Sequence, residues 1–180
     1  MLRYDQNTAE CFVYTYKEGV LSAVAHDLKL RVGAFWLTVD PQDSAVSASF
    51  DPNSMEVVCA MVKGVERAGV LGKRDLKQIQ TNITRDVLRT KKFPSLTFQS
   101  SSVDPEGEGL RVQGTLSLWG VSRALGCLAR REGAHYVPEL DLQQPDFGIK
   151  PFKALMGTLK VAPGLRIRMC VPAEAEELSE

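Results

Sequence analysis

The sequence predicts one mainly β domain, an antiparallel barrel or sandwich carrying a single amphipathic helix, on three observations. Apolar and polar residues alternate with a period of two through most of the chain, as in strands with one buried face. Turn-forming clusters separate these runs at short intervals: Asp51-Pro52-Asn53-Ser54, Asp104-Pro105-Glu106-Gly107, Trp119-Gly120 and Ala162-Pro163-Gly164. One stretch alone breaks into a helical period.

In order along the chain, Leu28, Leu30 and Val32 share one strand face while Lys29 and Arg31 take the other. Past Gly33 both sides turn apolar through Ala34, Phe35, Trp36 and Leu37, which points to a bulge or a covered outer face. Val46, Ala48 and Phe50 alternate with Ser47 and Ser49, and Met55 to Val62 is nearly all apolar, as in a strand covered on both faces. Then Leu76, Ile79, Ile83 and Val87 recur at spacings of three and four. At about 100° per residue they span an arc of about 80°, with Lys73, Arg74, Lys77, Arg85 and Arg89 on a separate arc. This predicts a helix with a basic outer face over about 71–90, stopped by Pro94. Alternation resumes at Leu96 and Phe98, at Leu110, Val112, Leu116 and Leu118, and at Leu165, Ile167, Met169 and Val171. A short helical or irregular piece is expected over 152–156. No repeat or linker divides the chain, so one barrel domain is expected over 1–172, followed by an acidic tail over 173–180.

A chain of 180 residues buries a sizeable core without staples. Its 22 basic and 22 acidic residues create no overall field for nucleic acid or for an anionic membrane. The opening Met1-Leu2-Arg3-Tyr4-Asp5-Gln6-Asn7 has no apolar core of a secretory signal, and no apolar run approaches the ~20 residues of a membrane span. Cys11, Cys59, Cys127 and Cys170 are isolated from one another, so four reduced, mostly buried thiols are expected. The expected compartment is the cytoplasm, with no stable membrane insertion and room left for a homodimer.

The usual catalytic constellations are missing. The chain has no GxSxG elbow and no GxGxxG; Gly72-Lys73 lacks the earlier P-loop glycine, with Arg67 in its place, and is followed by Arg74 rather than Ser or Thr. His26 and His135 lie too far apart in sequence for an ordinary zinc site, and no cofactor is expected. His26-Asp27 could form a base with an orienting carboxylate, but adjacent strand residues point to opposite faces. The basic helix face lacks aromatic platforms, so a solvated face is favoured over a nucleic-acid surface.

Two blocks carry a resemblance. Thr84-Arg85-Asp86-Val87-Leu88 followed by Lys92-Phe93-Pro94-Ser95-Leu96-Thr97-Phe98-Gln99-Ser100 resembles an "R-D-x-L … F/Y-P-x-[ILV]-x-F-x-S" pattern. Val112-Gln113-Gly114-Thr115-Leu116-Ser117-Leu118-Trp119-Gly120-Val121-Ser122 is similar to "v-x-G-x-L-t-[IL]-x-G-v-[TS]". The segment from His26 to Phe35 and the late Asp146-Phe147-Gly148-Ile149 fit in the same order. Together these blocks resemble the YceI-like family. The resemblance implies an eight-stranded antiparallel barrel of lipocalin type with an elongated apolar cavity. It further implies a non-catalytic protein binding a polyisoprenoid, a quinone or a similar long amphiphile.

On that reading Leu28, Leu30, Val32, Trp36, Val57, Leu96, Phe98, Val112, Leu116, Ile167 and Met169 line the cavity. His26 and Arg85 would meet a polar head group. The small residues Ala34, Ala48, Cys59 and Gly114, if they face inward, favour an open interior. The competing reading is a filled barrel whose basic helix docks an acidic partner. A hydrolase or isomerase acting through His26 on a hydrophobic substrate ranks third.

Overall fold

In the computed structural model, which describes residues 1–18 and 26–173, the alternating runs form one antiparallel sheet of thirteen strands curled around a shared apolar face. In chain order the strands are β1 (Leu2–Asp5), β2 (Glu10–Glu18), β3 (Asp27–Val32), β4 (Phe35–Asp40), β5 (Ala45–Phe50), β6 (Met55–Val62) and β7 (Val65–Arg67). After the helix come β8 (Leu96–Glu106), β9 (Gly109–Leu118), β10 (Val121–Glu132), β11 (His135–Gln143), β12 (Lys153–Ala154) and β13 (Leu159–Pro172). Hydrogen bonding orders them β1-β4-β5-β8-β9-β10-β11-β13-β2-β3-β6-β7, with β12 paired to β13. The expected count of eight strands is too low. Extended stretches are broken at short joints into β1 and β2, β3 and β4, and β5 and β6, and β7 and β12 add two brief outlying pieces.

The joint between β3 and β4 sets which residues face inward. Gly33 donates its N–H to the Ser54 carbonyl at 3.0 Å, and Ala34 donates to Ser54 Oγ at 2.8 Å. A Cβ at Gly33 would lie 2.9 Å from the Ser54 oxygen, so only glycine allows this approach. The two-residue joint shifts the parity. Leu28, Leu30 and Val32 are buried from β3, but Phe35 and Leu37 are buried from β4. Trp36 therefore points outward and is 65% exposed, a correction to its expected place on the cavity wall. A bulge between Ser100 and Ser102 does the same in β8, passing the inward role from Phe98 to Val103.

The helical period gives an α-helix, α1 (Lys73–Thr81), continuing as a π-helical turn over Asn82–Val87. The expected α-helix through residue 90 is thus cut short. The Thr81 and Thr84 hydroxyls donate to the carbonyls of Lys77 and Gln80, competing with the backbone ladder. The ladder widens beyond them, so that Leu88 N–H reaches the Ile83 carbonyl and Thr90 N–H the Thr84 carbonyl. Asp75 accepts the Gly72 N–H and closes the other end of the helix. Leu71, Ile79 and Ile83 pack half-buried against one core cluster, and Val87 and Leu88 against a second. The helix covers the side where β6 turns away to pair with β3 while β8 stays on β5. The segment expected to be helical or irregular over 152–156 forms β12 and a 3-10 turn at Leu155–Gly157.

The outer face is polar and laced by cross-strand pairs such as Arg166–Asp141 and Arg168–Glu139. Phe12 also faces outward but is covered, with Lys29 Nζ 4.1 Å and Arg31 5.8 Å from its ring centre. The barrel has two distinct ends. At the helix end β2, β6 and β9 finish and the β6–β7, β9–β10 and β12–β13 turns protrude; the far end carries the β4–β5, β8–β9 and β10–β11 turns.

Candidate ligand-binding cavity

The inward faces enclose an apolar cavity of about 290 Å³. Strand register fixes its layers. Toward the helix end the wall is Leu88, Leu118, Leu142, Phe147, Ile149 and Leu165. Across the middle it is Leu37, Phe98, Leu116, Leu125, Leu140 and Ile167, and toward the far end Leu2, Val39, Val46, Val103, Leu110 and Ala129.

The polar groups of the wall are few. The Tyr4 hydroxyl donates to the Pro172 carbonyl at 3.1 Å, and burial pushes its ionisation up, so the phenol stays neutral. Buried Gln144 donates Nε2–H to the Ala162 carbonyl at 3.0 Å. Burial pushes the Cys11 thiol up to about 12 and raises that of Cys127, so both remain protonated thiols at neutral pH. All four cysteines are free, Cys11 and Cys59 buried and the other two half-buried. Among the described residues no group of three His, Cys, Asp or Glu side chains comes together as a metal cage would.

Of the residues expected on the wall, Val32, Leu96, Phe98, Val112, Leu116, Ile167 and Met169 line the cavity. Leu28 and Leu30 are buried in the core cluster that receives Leu71, Ile79 and Ile83, and stand outside the cavity. Val57 packs against that cluster from beside a bulge in β6 and edges a shallow outer groove instead. Arg85 is exposed and held by its neighbour Asp86, Nε to Oδ1 at 2.8 Å, which keeps that carboxyl below its usual range. It does not reach the cavity. His26 is half-buried just before β3 and also stands off the wall. Asp27 Oδ1 accepts the Lys17 N–H at 2.7 Å, so this carboxylate is engaged by backbone.

The small residues divide. Ala48 lines the cavity, whereas Cys59 faces outward beside Glu66. Gly114 opens no space of its own: a Cβ there would press on the Gln99 carbonyl oxygen and lie 2.6 Å from Phe98 Cζ, so the glycine makes room for that strand and its ring. Trp119 sits in the β9–β10 turn with its ring centre 4.7 Å from that of Phe93 and its buried Nε1 without a hydrogen-bond partner.

The curled sheet with its apolar interior matches a known family: the YceI-like domain model covers residues 4–171. The chain belongs to the YceI-like family. Solved structures with this fold include Burkholderia cenocepacia BcnA, at 17% identity and a TM-score of 0.66, covering 94% of this chain and 99% of that one. A Saccharophagus degradans polyisoprenoid binding domain, implicated in plant cell wall breakdown, gives 13% identity and a TM-score of 0.58 over 94% and 97% of the two chains. The Campylobacter jejuni YCEI protein gives 14% and 0.62 over 90% and 92%. No curated protein matches the sequence.

Much of this YceI-like cavity escaped residue-by-residue reading. Leu2, Tyr4, Cys11 and Val13 come from the first two strands, and Leu140, Leu142, Phe147 and Ile149 from β11 and the turn after it. The pair Leu140 and Leu142 alternates and could have been found by period alone. Phe147 and Ile149 flank Gly148, whose φ of 76° turns both side chains inward from an irregular segment with no strand period.

Proposed function

We infer that this YceI-like barrel is a non-catalytic carrier or sensor for a long apolar amphiphile, a polyisoprenoid or a quinone, held tail-inward. The observation that carries the reading is a cavity wall of hydrocarbon in which Tyr4 and Gln144 already donate to backbone and both thiols are neutral. Such a wall supplies burial and no nucleophile, base or charge. At about 0.8 kcal/mol per buried CH₂, ten tail carbons supply about 8 kcal/mol gross, the scale of micromolar binding before ordering costs. The Saccharophagus neighbour, whose domain binds polyisoprenoid, supports the class of ligand by likeness of fold. Four unpaired thiols suit the reducing cytoplasm.

The test is native mass spectrometry of protein purified without detergent, followed by organic extraction and re-addition of a long polyprenyl alcohol or a long-chain quinone. A one-to-one adduct that re-forms after extraction is the expected result. Failure to take up either probe overturns the reading in favour of a barrel with a structural role, and conversion of the probe overturns its non-catalytic part.

A further inference from the structure

We propose that the helix end of the barrel docks on an anionic lipid bilayer through the tips of the β12–β13 and β6–β7 hairpins. The chain carries no net charge, and Met156, its most exposed apolar side chain among the described residues, stands at this end with four others. Leu155 is 63% and Met156 fully exposed at the tip of β12–β13; Val62 and Val65 flank the β6–β7 turn, and Val70 precedes α1. Leu155 and Met156 also hold successive φ values of 50° and 56°, the left-handed region that costs a non-glycine residue energy. Strained and exposed together at a tip, two adjacent apolar residues suit a segment that enters another phase.

Cations frame these tips. Lys150, Lys153 and Lys160 bracket the first; Lys63 and Arg67 bracket the second, and Lys73 opens the adjacent helix. Glu66, the carboxylate between Lys63 and Arg67 in sequence, is engaged by Lys29 at 2.5 Å. Register places both tips past the same edge of the sheet. Lys160 pairs with Glu18, Lys17 N–H reaches Asp27, and Asp27 pairs with Met61, and both turns project beyond this line. Along the curled sheet the two hairpins lie four strand spacings of about 4.8 Å apart, each an apolar point with basic flanks. An apolar insertion ringed by lysines matches an interface of acyl chains beneath anionic headgroups, whereas a protein partner would not require the lysine frame.

The experiment is co-sedimentation of the full chain with vesicles of phosphatidylcholine, with or without a third of phosphatidylglycerol, at low salt and at about 0.1 M salt. The vesicles contain no isoprenoid, so docking is read separately from cavity loading. Binding at least tenfold tighter to the anionic vesicles, weakening with salt, is expected. Leu155→Asn with Met156→Asn, which keeps a residue tolerant of positive φ at both sites, should lose tenfold or more on anionic vesicles. Lys150→Gln, Lys153→Gln and Lys160→Gln together should reduce anionic binding to the neutral level. Trp36→Ser, an equally apolar exposed site on the wall, should bind as the parent does. Equal parental binding to both vesicle types overturns the proposal, as does a double Asn variant that binds normally. Absence of pelleting at low salt also overturns it, and so does lipid-free self-association abolished by the Asn pair, which would make the tips a protein interface.

Discussion

Replacing Ala129 with Leu tests the cavity and its occupant together. Ala129 is 5% exposed, lies between Leu110 and Pro138 in the sheet and lines the far end of the cavity. Leucine adds three carbons directed into that space. At about 0.8 kcal/mol each they should stabilise the ligand-free protein by about 2 kcal/mol, read as a raised urea midpoint at constant slope. The same carbons displace an equal length of tail, so uptake of the polyprenyl probe should weaken by about thirtyfold. Opposite signs in stability and binding are the signature of a cavity kept open for a ligand. A variant destabilised by more than about 1 kcal/mol would mean that residue 129 faces a packed core. A variant stabilised but binding within about threefold of the parent would mean that the tail never reaches the far end.

Other expectations follow from single contacts. Gly33→Ala should destabilise by about 1–3 kcal/mol in chemical denaturation, because its Cβ meets the Ser54 carbonyl at 2.9 Å. Ile83→Ala should cost about 1–2 kcal/mol, below the loss at a fully buried site, since Ile83 is half-buried under the helix. Arg85→Ala should leave probe binding within about twofold by fluorescence titration, because the guanidinium is committed to Asp86 outside the cavity. Cys11 holds its proton in the folded chain to about 12, against about 9 when exposed. The unfolded state releases that proton first, so the stability this thiol contributes is constant below about pH 9 and should fall between 9 and 12, a share of the alkaline loss that Cys11→Ala removes.

How far the sequence was readable depended on whether a segment kept one period. β9 keeps it without interruption, and Val112 and Leu116 stand where alternation places them; so do Ile167 and Met169 in β13. The helix stripe kept its period as far as Ile83, then lost it when the Thr84 hydroxyl captured a backbone carbonyl, an event that a list of apolar positions does not encode. Leu28 and Leu30 faced inward as expected, yet stood off the cavity. Period reports the face of a strand; what lies opposite that face is set by tertiary packing, here the cluster joined by Leu71, Ile79 and Ile83.

The two glycines show the limit most directly. Gly33 and Gly114 each fall in an alternating run, and either could shift the faces by one. At Gly33 the chain leaves the ladder for two residues because Ser54 approaches its backbone, and everything downstream inverts, carrying Trp36 out to solvent. At Gly114 the strand stays paired to Ser100 and Leu125 beside the bulge in β8, and the space of the missing side chain is taken by the Gln99 carbonyl and the Phe98 ring. Both glycines admit a backbone carbonyl, but the first sits where pairing stops, and the second sits within a continuing strand and also admits the ring of Phe98. The discriminating residues, Ser54 and Phe98, are 21 and 16 positions away in sequence. Gly33→Ala and Gly114→Ala should therefore both destabilise, but only the first should disturb the outward setting of Trp36. Its indole emission, compared with that of a Trp119→Phe background, reads that setting directly; a shifted spectrum from Gly114→Ala and none from Gly33→Ala would reverse the assignment of the two roles.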